Sequence, residues 1–207
     1  MRRPSILFLG ILLVACGGDP EPPPPETAKN IHLLPRTPEA RAFDEKLRAI
    51  HQEWMGTAWT FTGTSQTPRQ GSIACGYFVT TTLEQAGLEL DRVRLAQAAS
   101  EKMILALAEP DSIRRYSDAP LEAFLEGVRL QGEGYYLVGL DNHTGFLKVD
   151  PDGGIVFIHS GPGRGVVEEA PEDAPELAHS RYRVTGKIGG PAGNVNATPP
   201  AATRRPG

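Results

Sequence analysis

The chain has 207 residues, of which 40% are hydrophobic and 22% charged, so it can form one compact domain and is neither a coiled coil nor a fully disordered chain. The formal net charge is −4 and the basic residues are scattered, which argues against a nucleic-acid partner. Many of the 23 glycines and 19 prolines cluster near the two ends, which indicates that the folded core lies between them.

Residues 1–15 have the pattern of an export signal, because Arg2 and Arg3 precede an apolar run that is too short to span a bilayer. The Leu-Val-Ala-Cys sequence at residues 13–16 resembles the lipobox of bacterial lipoproteins. The resemblance implies that residues 1–15 are a lipoprotein signal peptide and that Cys16 carries lipid. Such a protein is anchored to a membrane of the bacterial cell envelope, on the periplasmic or outer-membrane face, without spanning it. An ordinary secretory signal, in which Cys16 is a chance residue, is the alternative.

Proline and glycine set the expected limits of the folded domain. Residues 16–30 include four consecutive prolines and are predicted to form an extended tether. Residues 31–188 are predicted to form the folded domain. Residues 189–207 are rich in Gly, Pro, Ala, Asn and Thr without periodicity, and are predicted to be a disordered tail.

Apolar residues at helical spacing predict four helices in the first part of the domain. The predicted helices occupy residues 37–54, 75–86, 93–108 and 120–130, with a short helical turn at residues 112–116. Thr37 and Pro38 suit the start of the first helix, and Gly87 suits the end of the second. Cys75 is therefore predicted to lie in the first turn of a helix.

Short runs rich in aromatic and β-branched residues predict four strands after Gly132. The strands occupy residues 135–140, 143–149, 155–160 and 181–188, with a hairpin turn at residues 150–154. Their short connections imply antiparallel pairing. Helices followed by an antiparallel sheet are typical of the α+β class.

Cys75, His143 and His159 are the residues best suited to chemistry. If Cys16 carries lipid, Cys75 has no cysteine partner within the chain. The positive end of a helix lowers the pKa of a cysteine, so the sequence predicts a reactive thiolate at mildly acidic pH. A histidine can accept the thiol proton while a second polar side chain orients that histidine. A hairpin that turns at residues 151–152 places His143 and His159 on one face of the sheet.

Three segments carry a resemblance to a known family. The sequences Cys-Gly-Tyr-Phe-Val at residues 75–79, His-Thr-Gly-Phe-Leu at 143–147 and Phe-Ile-His-Ser at 157–160 resemble the NlpC-like family of papain-fold cell-wall cysteine peptidases. The aromatic loop at residues 59–63 resembles the segment that helps line the active site in that family. Ala74 and Gly76 depart from the family pattern, in which an acidic residue precedes the cysteine and a serine follows it.

The resemblance implies a papain-like α+β fold, with N-terminal helices packed on a small antiparallel sheet. It implies that Cys75 is the nucleophile, His143 the general base and His159 the residue that orients His143. The implied activity is hydrolysis of an amide bond in a peptide or in the stem peptides of peptidoglycan, without a cofactor or metal ion. A catalytically inactive papain-fold lipoprotein that binds or scaffolds other molecules is the alternative.

Each of the three site residues also has an interpretation without catalysis. Cys75 could be a small buried core residue, His143 a turn residue and His159 a sheet histidine. The three residues together could bind zinc, although the sequence shows no close-spaced ligand pair and no evident fourth ligand.

The remaining histidines, His32, His51 and His179, are predicted to lie on the surface because their neighbours are polar or flexible. The Gly-Pro-Gly-Arg-Gly segment at residues 161–165 lacks the Lys, the Ser or Thr and the helix of a phosphate-binding loop. This segment is predicted to be a mobile loop at the rim of the site.

The variant Cys16→Ser should release the protein from the membrane fraction, because the thiol that accepts lipid is lost. Cell fractionation followed by detection of the protein measures the release. The matched control is Cys75→Ser, which removes the other thiol and should leave the protein in the membrane fraction. Retention of the Cys16→Ser protein with the membranes would show that residues 13–16 are not a lipobox.

Overall fold

The structure, a computed structural model, describes residues 36–190. The predicted signal peptide, the lipidation site Cys16, the tether, His32 and the tail from residue 191 lie outside the described residues. Among the helices of residues 36–190, none is both long enough and apolar enough to cross a bilayer.

Six α-helices lie in the described part of the chain. They are α1 (Pro38–Trp54), α2 (Cys75–Ala86), α3 (Arg92–Ala96), α4 (Ser100–Leu107), α5 (Leu121–Arg129) and α6 (Pro175–Ala178). The start of α1 is as predicted, because the Thr37 side chain accepts a hydrogen bond from the backbone N–H of Ala40. The end of α2 is also as predicted, since Gly87 adopts the left-handed conformation there.

Six strands of the described residues form one antiparallel sheet in the order β1-β6-β2-β3-β4-β5. They are β1 (Arg114–Ser117), β2 (Gly134–Leu140), β3 (Thr144–Val149), β4 (Ile155–Gly161), β5 (Gly165–Glu169) and β6 (Tyr182–Lys187). The four predicted strands correspond to β2, β3, β4 and β6. Helices combined with an antiparallel sheet confirm the predicted α+β class.

Both faces of the sheet are buried, which explains the almost uninterrupted apolar sequence of β2. Leu137 and Phe146 belong to a core cluster that includes residues of α1, α2 and α4. Val138 and Leu147 belong to a second cluster, on the opposite face, that includes residues of α5 and α6. The sheet therefore forms the middle of three layers.

The predicted single helix at residues 93–108 is wrong in its middle, where the structure has two helices, α3 and α4. The backbone of Ala99 leaves the helical conformation, with φ −56° and ψ 139°, before α4 begins. Near this break the carbonyl of Ala96 packs against Gly76, so closely that a Cβ on residue 76 would lie 2.3 Å from the Ala96 oxygen. Packing of α3 against the start of α2 therefore overrides the helix propensity of the alanines.

The predicted helical turn at residues 112–116 is also wrong. A short 3₁₀ turn, Pro110–Ser112, leads instead into β1, an edge strand that pairs with β6. The predicted rim loop at residues 161–165 is a tight hairpin turn in which Gly161 of β4 pairs with Gly165 of β5. Strands as short as β1 and β5 have little periodicity of their own and are stabilised by their partner strands.

The prediction that His51 lies on the surface is wrong, because its side chain is fully buried. Its ring centroid lies 4.6 Å from that of Phe146 and 5.4 Å from that of Phe78. Neither ring nitrogen has a hydrogen-bond partner within the described residues. Burial without a partner lowers the pKa of His51 to about 3, so its imidazole is neutral in the folded protein at neutral pH. His179 is exposed, as predicted.

The variant His51→Phe should make the protein less sensitive to acid. The unfolded chain binds a proton at His51 near pH 6.5, whereas the folded protein binds it only near pH 3, so the free energy of unfolding falls as the pH drops through this interval. Between pH 7 and pH 5 the loss from this residue is about 2 kcal/mol. Chemical unfolding at both pH values measures the loss, and His179→Phe is the control at an exposed position. An equal loss in the wild type and in His51→Phe would contradict this assignment.

Candidate active site

Cys75 is the first residue of α2, as predicted, and its side chain is half-buried. Ala74 precedes the helix and supplies no side-chain cap. The first N–H groups of a helix have no carbonyl partner within it, so the amides of Cys75 and Gly76 can bind an atom that carries negative charge. The Cys75 thiol and two backbone N–H groups that could stabilise an oxyanion therefore lie in the same helical turn.

A cavity of about 840 Å³ opens beside Cys75. His143 lines this cavity and also the smaller cavity next to it, which Cys75 lines as well. Trp59 and Phe61, from the aromatic loop that the sequence assigned to the site, contribute to the wall of the larger cavity. The structure thus brings Cys75, His143 and the aromatic loop together around one space.

His143 and His159 are in direct contact, as the hairpin predicted. Nε2 of His143 lies 2.8 Å from Nδ1 of His159, and the two ring centroids are 4.9 Å apart. The β3–β4 register pairs Gly145 with His159 and so sets both imidazoles on one face of the hairpin. His159 is fully buried and stacks on the ring of Phe157, whereas His143 is half-buried at the cavity.

Glu169, which the sequence analysis did not identify, completes a chain of hydrogen bonds. Its Oε1 atom lies 2.8 Å from Nε2 of His159, and its other oxygen pairs with Arg164. Glu169 lies on β5, the strand that the sequence analysis missed. The two β-branched residues Val166 and Val167, directly after a glycine-rich turn, are the signal that could have identified this strand.

The direction of each hydrogen bond follows from Glu169. An ionised carboxylate only accepts hydrogen bonds, so Nε2 of His159 carries the hydrogen and Nδ1 of a neutral His159 accepts one. Nε2 of His143 is then the donor to His159. Nδ1 of His143 is left with a free lone pair, which is the state that a general base requires.

The site lies at one end of the sheet, where residues from both faces of the sheet come together. The body of α2 packs on the face that carries Phe146 and Ile158, whereas His159 lies with Phe157 on the opposite face. Cys75 lies at the end of the sheet, where the backbone N–H of Thr144 favours the thiolate and so lowers the pKa of Cys75. Of the two imidazoles, only His143 lines the cavities around Cys75.

Burial controls the charges of these residues. It lowers the pKa of His143 and of His159 to about 4 each, and the negative charge of Glu176 opposes this effect at both rings. Burial also raises the pKa of Cys75, more than the backbone N–H groups of Gly76 and Thr144 lower it. The free protein at neutral pH therefore contains a neutral thiol and two neutral imidazoles.

The predicted thiolate at mildly acidic pH is consequently wrong. The backbone N–H groups at the start of α2 lower the pKa of Cys75, as expected, but burial raises it by more. The hydrogen bonds of His143 and His159 in the described residues join them to each other and to Glu169, and none reaches the sulfur. Cys75 and His143 are therefore not a preformed ion pair.

Zinc binding was left open by the sequence. Within residues 36–190, no group of three or more His, Cys, Asp or Glu side chains is arranged to hold a metal ion. Cys75 and the two histidines instead share a site in which the imidazoles bind each other and a carboxylate.

Labelling of Cys75 by iodoacetamide should increase only at a pH above that at which an ordinary exposed thiol reacts, because burial raises its pKa. Mass spectrometry of the peptide that contains Cys75, across a series of pH values, gives the midpoint. Glutathione in the same mixture is the reference thiol. A midpoint below that of glutathione would indicate a stabilised thiolate and would contradict this result.

Comparisons of the chain with protein-family models, with curated proteins and with solved structures found no match. The chemistry of the site is therefore inferred from its own residues. Three features bear on this chemistry. They are the Cys75 thiol at the cavity, the hydrogen bond between His143 and His159, and the hydrogen bond between His159 and Glu169.

Proposed function

We propose that this protein is a cysteine hydrolase of the NlpC-like, papain-fold type that cleaves an amide bond. One observation carries the proposal: the hydrogen-bond chain from Glu169 through His159 to His143, which leaves Nδ1 of His143 free to accept a proton at the cavity of Cys75. A histidine with a free ring nitrogen, near a thiol at a helix terminus, is the arrangement that nucleophilic catalysis by cysteine requires. The proposed roles are nucleophile for Cys75, general base for His143 and orienting residue for His159.

In the proposed reaction, a substrate amide enters the cavity and excludes water from the sulfur. Nδ1 of His143 takes the thiol proton as the Cys75 sulfur attacks the carbonyl carbon. The backbone N–H groups of Cys75 and Gly76 stabilise the oxyanion that forms. The imidazolium then gives its proton to the leaving amine, and a thioester remains on Cys75.

Water completes the reaction. His143 accepts a proton from the water molecule as its oxygen attacks the thioester, and the acid product leaves as the thiol is restored. Glu169 stabilises the positive charge that His143 and His159 share during both steps, because it lies 2.8 Å from His159. The proton transfer requires His143 to approach the sulfur when substrate binds, since no hydrogen bond joins them in the free protein.

The envelope location implied by residues 13–16 supports a substrate in the cell wall. A lipid on Cys16 would hold the domain beside the membrane, with residues 16–30 as the tether. Peptides, or the stem peptides of peptidoglycan, are then the amides within reach. No cofactor or metal ion enters the proposed mechanism.

A second candidate function is a papain-fold lipoprotein without activity that binds a peptide in the same cavity. The observation in its favour is the neutral thiol, which makes no hydrogen bond to His143 in the described structure. The two candidates differ in whether the products of amide cleavage are formed.

Glu169→Ala should lower the rate of amide cleavage by about 10- to 100-fold, because His159 and then His143 lose the carboxylate that orients them. Glu169→Gln should lower the rate less, since its amide oxygen can still accept from His159. Cys75→Ala should abolish cleavage. Purified peptidoglycan is the substrate, and mass spectrometry of the released peptides measures the rate.

The matched control is Glu168→Ala, which removes an exposed carboxylate from the adjacent residue of β5 and should leave the rate unchanged. Equal effects of Glu168→Ala and Glu169→Ala would contradict the orienting role of Glu169. Absence of cleavage by the wild-type protein on peptidoglycan and on its soluble fragments would favour the binding module.

A further inference from the structure

Glu176 lies at the wall of the cavity and carries a carboxylate that is not fully satisfied. It is the second residue of α6 and lines the cavity with Cys75 and His143. Its Oε2 atom is buried and has no hydrogen-bond partner within the described residues. A buried carboxylate oxygen without a donor is destabilising, so the Glu176 side chain suits a ligand that brings a donor.

The other acidic side chain of the cavity is already occupied. The carboxylate of Asp141 accepts hydrogen bonds from the Ser180 hydroxyl and from the backbone N–H groups of Arg181 and Tyr182. In the part of the chain that the structure describes, no lysine or arginine lines the cavity. Glu176 is therefore the carboxylate that remains available to a ligand, and among the described residues no lysine or arginine of the cavity wall pairs with it.

Aromatic side chains form another part of the same wall. Trp59, Phe61 and Tyr77 all line the cavity, and Phe61 is 84% exposed although it is large and apolar. Nε1 of Trp59 is buried without a partner and can donate a hydrogen bond. Aromatic faces attract both apolar groups and cations. The cavity thus offers an unpaired carboxylate together with surfaces that favour a cation on an apolar stem.

We propose that the cavity binds substrates that carry a primary ammonium group close to the scissile amide, with Glu176 accepting the ammonium hydrogens. The inference rests on the proposed function, because it takes Cys75 as the nucleophile. A hydrogen bond between an ammonium group and a carboxylate is stronger than a neutral one, so it can orient the amide at the sulfur. The aromatic wall covers the carbon chain next to the ammonium group.

A different role for Glu176 is that of a counter-charge to the imidazoles alone. Its carboxylate raises the pKa of both His143 and His159, opposing the effect of their burial. In that role its removal would change the reactivity of Cys75 toward every reagent by the same factor. An ammonium subsite instead favours cationic reagents over neutral ones, so the ratio of their rates separates the two roles.

The test measures how fast Cys75 reacts with three methanethiosulfonates of similar length: aminoethyl, which is cationic, hydroxyethyl, which is neutral, and sulfonatoethyl, which is anionic. The full chain is used, and mass spectrometry of the peptide that contains Cys75 gives each rate constant. Each rate constant is divided by the rate constant of the same reagent with 2-mercaptoethanol. This division removes differences in the intrinsic reactivity of the reagents. The cation-to-neutral ratio of the wild type should be about 10, and the anion should react more slowly than the neutral reagent.

Glu176→Gln should bring the cation-to-neutral ratio to within about twofold of one. Glu172→Gln, which removes the charge of an exposed residue four positions earlier, should leave the wild-type ratio unchanged. A ratio near one in the wild type, or an equal fall of all three rates in Glu176→Gln, overturns the subsite but not the nucleophile. All rates are measured at a pH above the iodoacetamide midpoint of Cys75, where the thiolate is present. Failure of Cys75 to react with any of the three reagents at that pH overturns the nucleophile, and with it the proposed function.

Discussion

The pairing of β3 with β4 is the contact on which the candidate site depends. It sets Gly145 opposite His159, where a Cβ on residue 145 would lie 2.9 Å from the His159 Cβ, so the glycine makes room for the imidazole. The same register brings His143 to within 2.8 Å of His159, and the pairing of β5 with β4 brings Glu169 to the other ring nitrogen. A shift of one residue would turn one imidazole to the opposite face and break this chain.

Burial then decides the chemistry that this geometry can perform. It keeps His143 and His159 neutral at neutral pH, and it outweighs the effect of the helix terminus on Cys75. A neutral thiol beside a neutral base can react only when a proton is transferred during attack. The proposed enzyme therefore becomes reactive when substrate fills the cavity, which would protect a thiol in an oxidising compartment from unwanted reactions.

Much of the local structure could be predicted because its causes are local. Thr37 and Gly87 mark the ends of helices through contacts within a few residues, and they place Cys75 in the first turn of α2. The contact between His143 and His159 follows from alternation along two strands joined by a short turn. The break between α3 and α4 could not be predicted this way, because it accompanies the approach of Ala96 to Gly76, twenty residues earlier in the chain.

The sequence by itself determined the α+β order of elements, the helix that carries Cys75 and the pairing of the two histidines. The tertiary structure decided the charge states and the partners. It buries His51 among aromatic rings, raises the pKa of Cys75 and adds Glu169 and Glu176 to the site from segments that the sequence left unassigned. The physical reason is that a pKa and a hydrogen-bond partner depend on which distant atoms exclude water from a group, and no spacing along the chain records that.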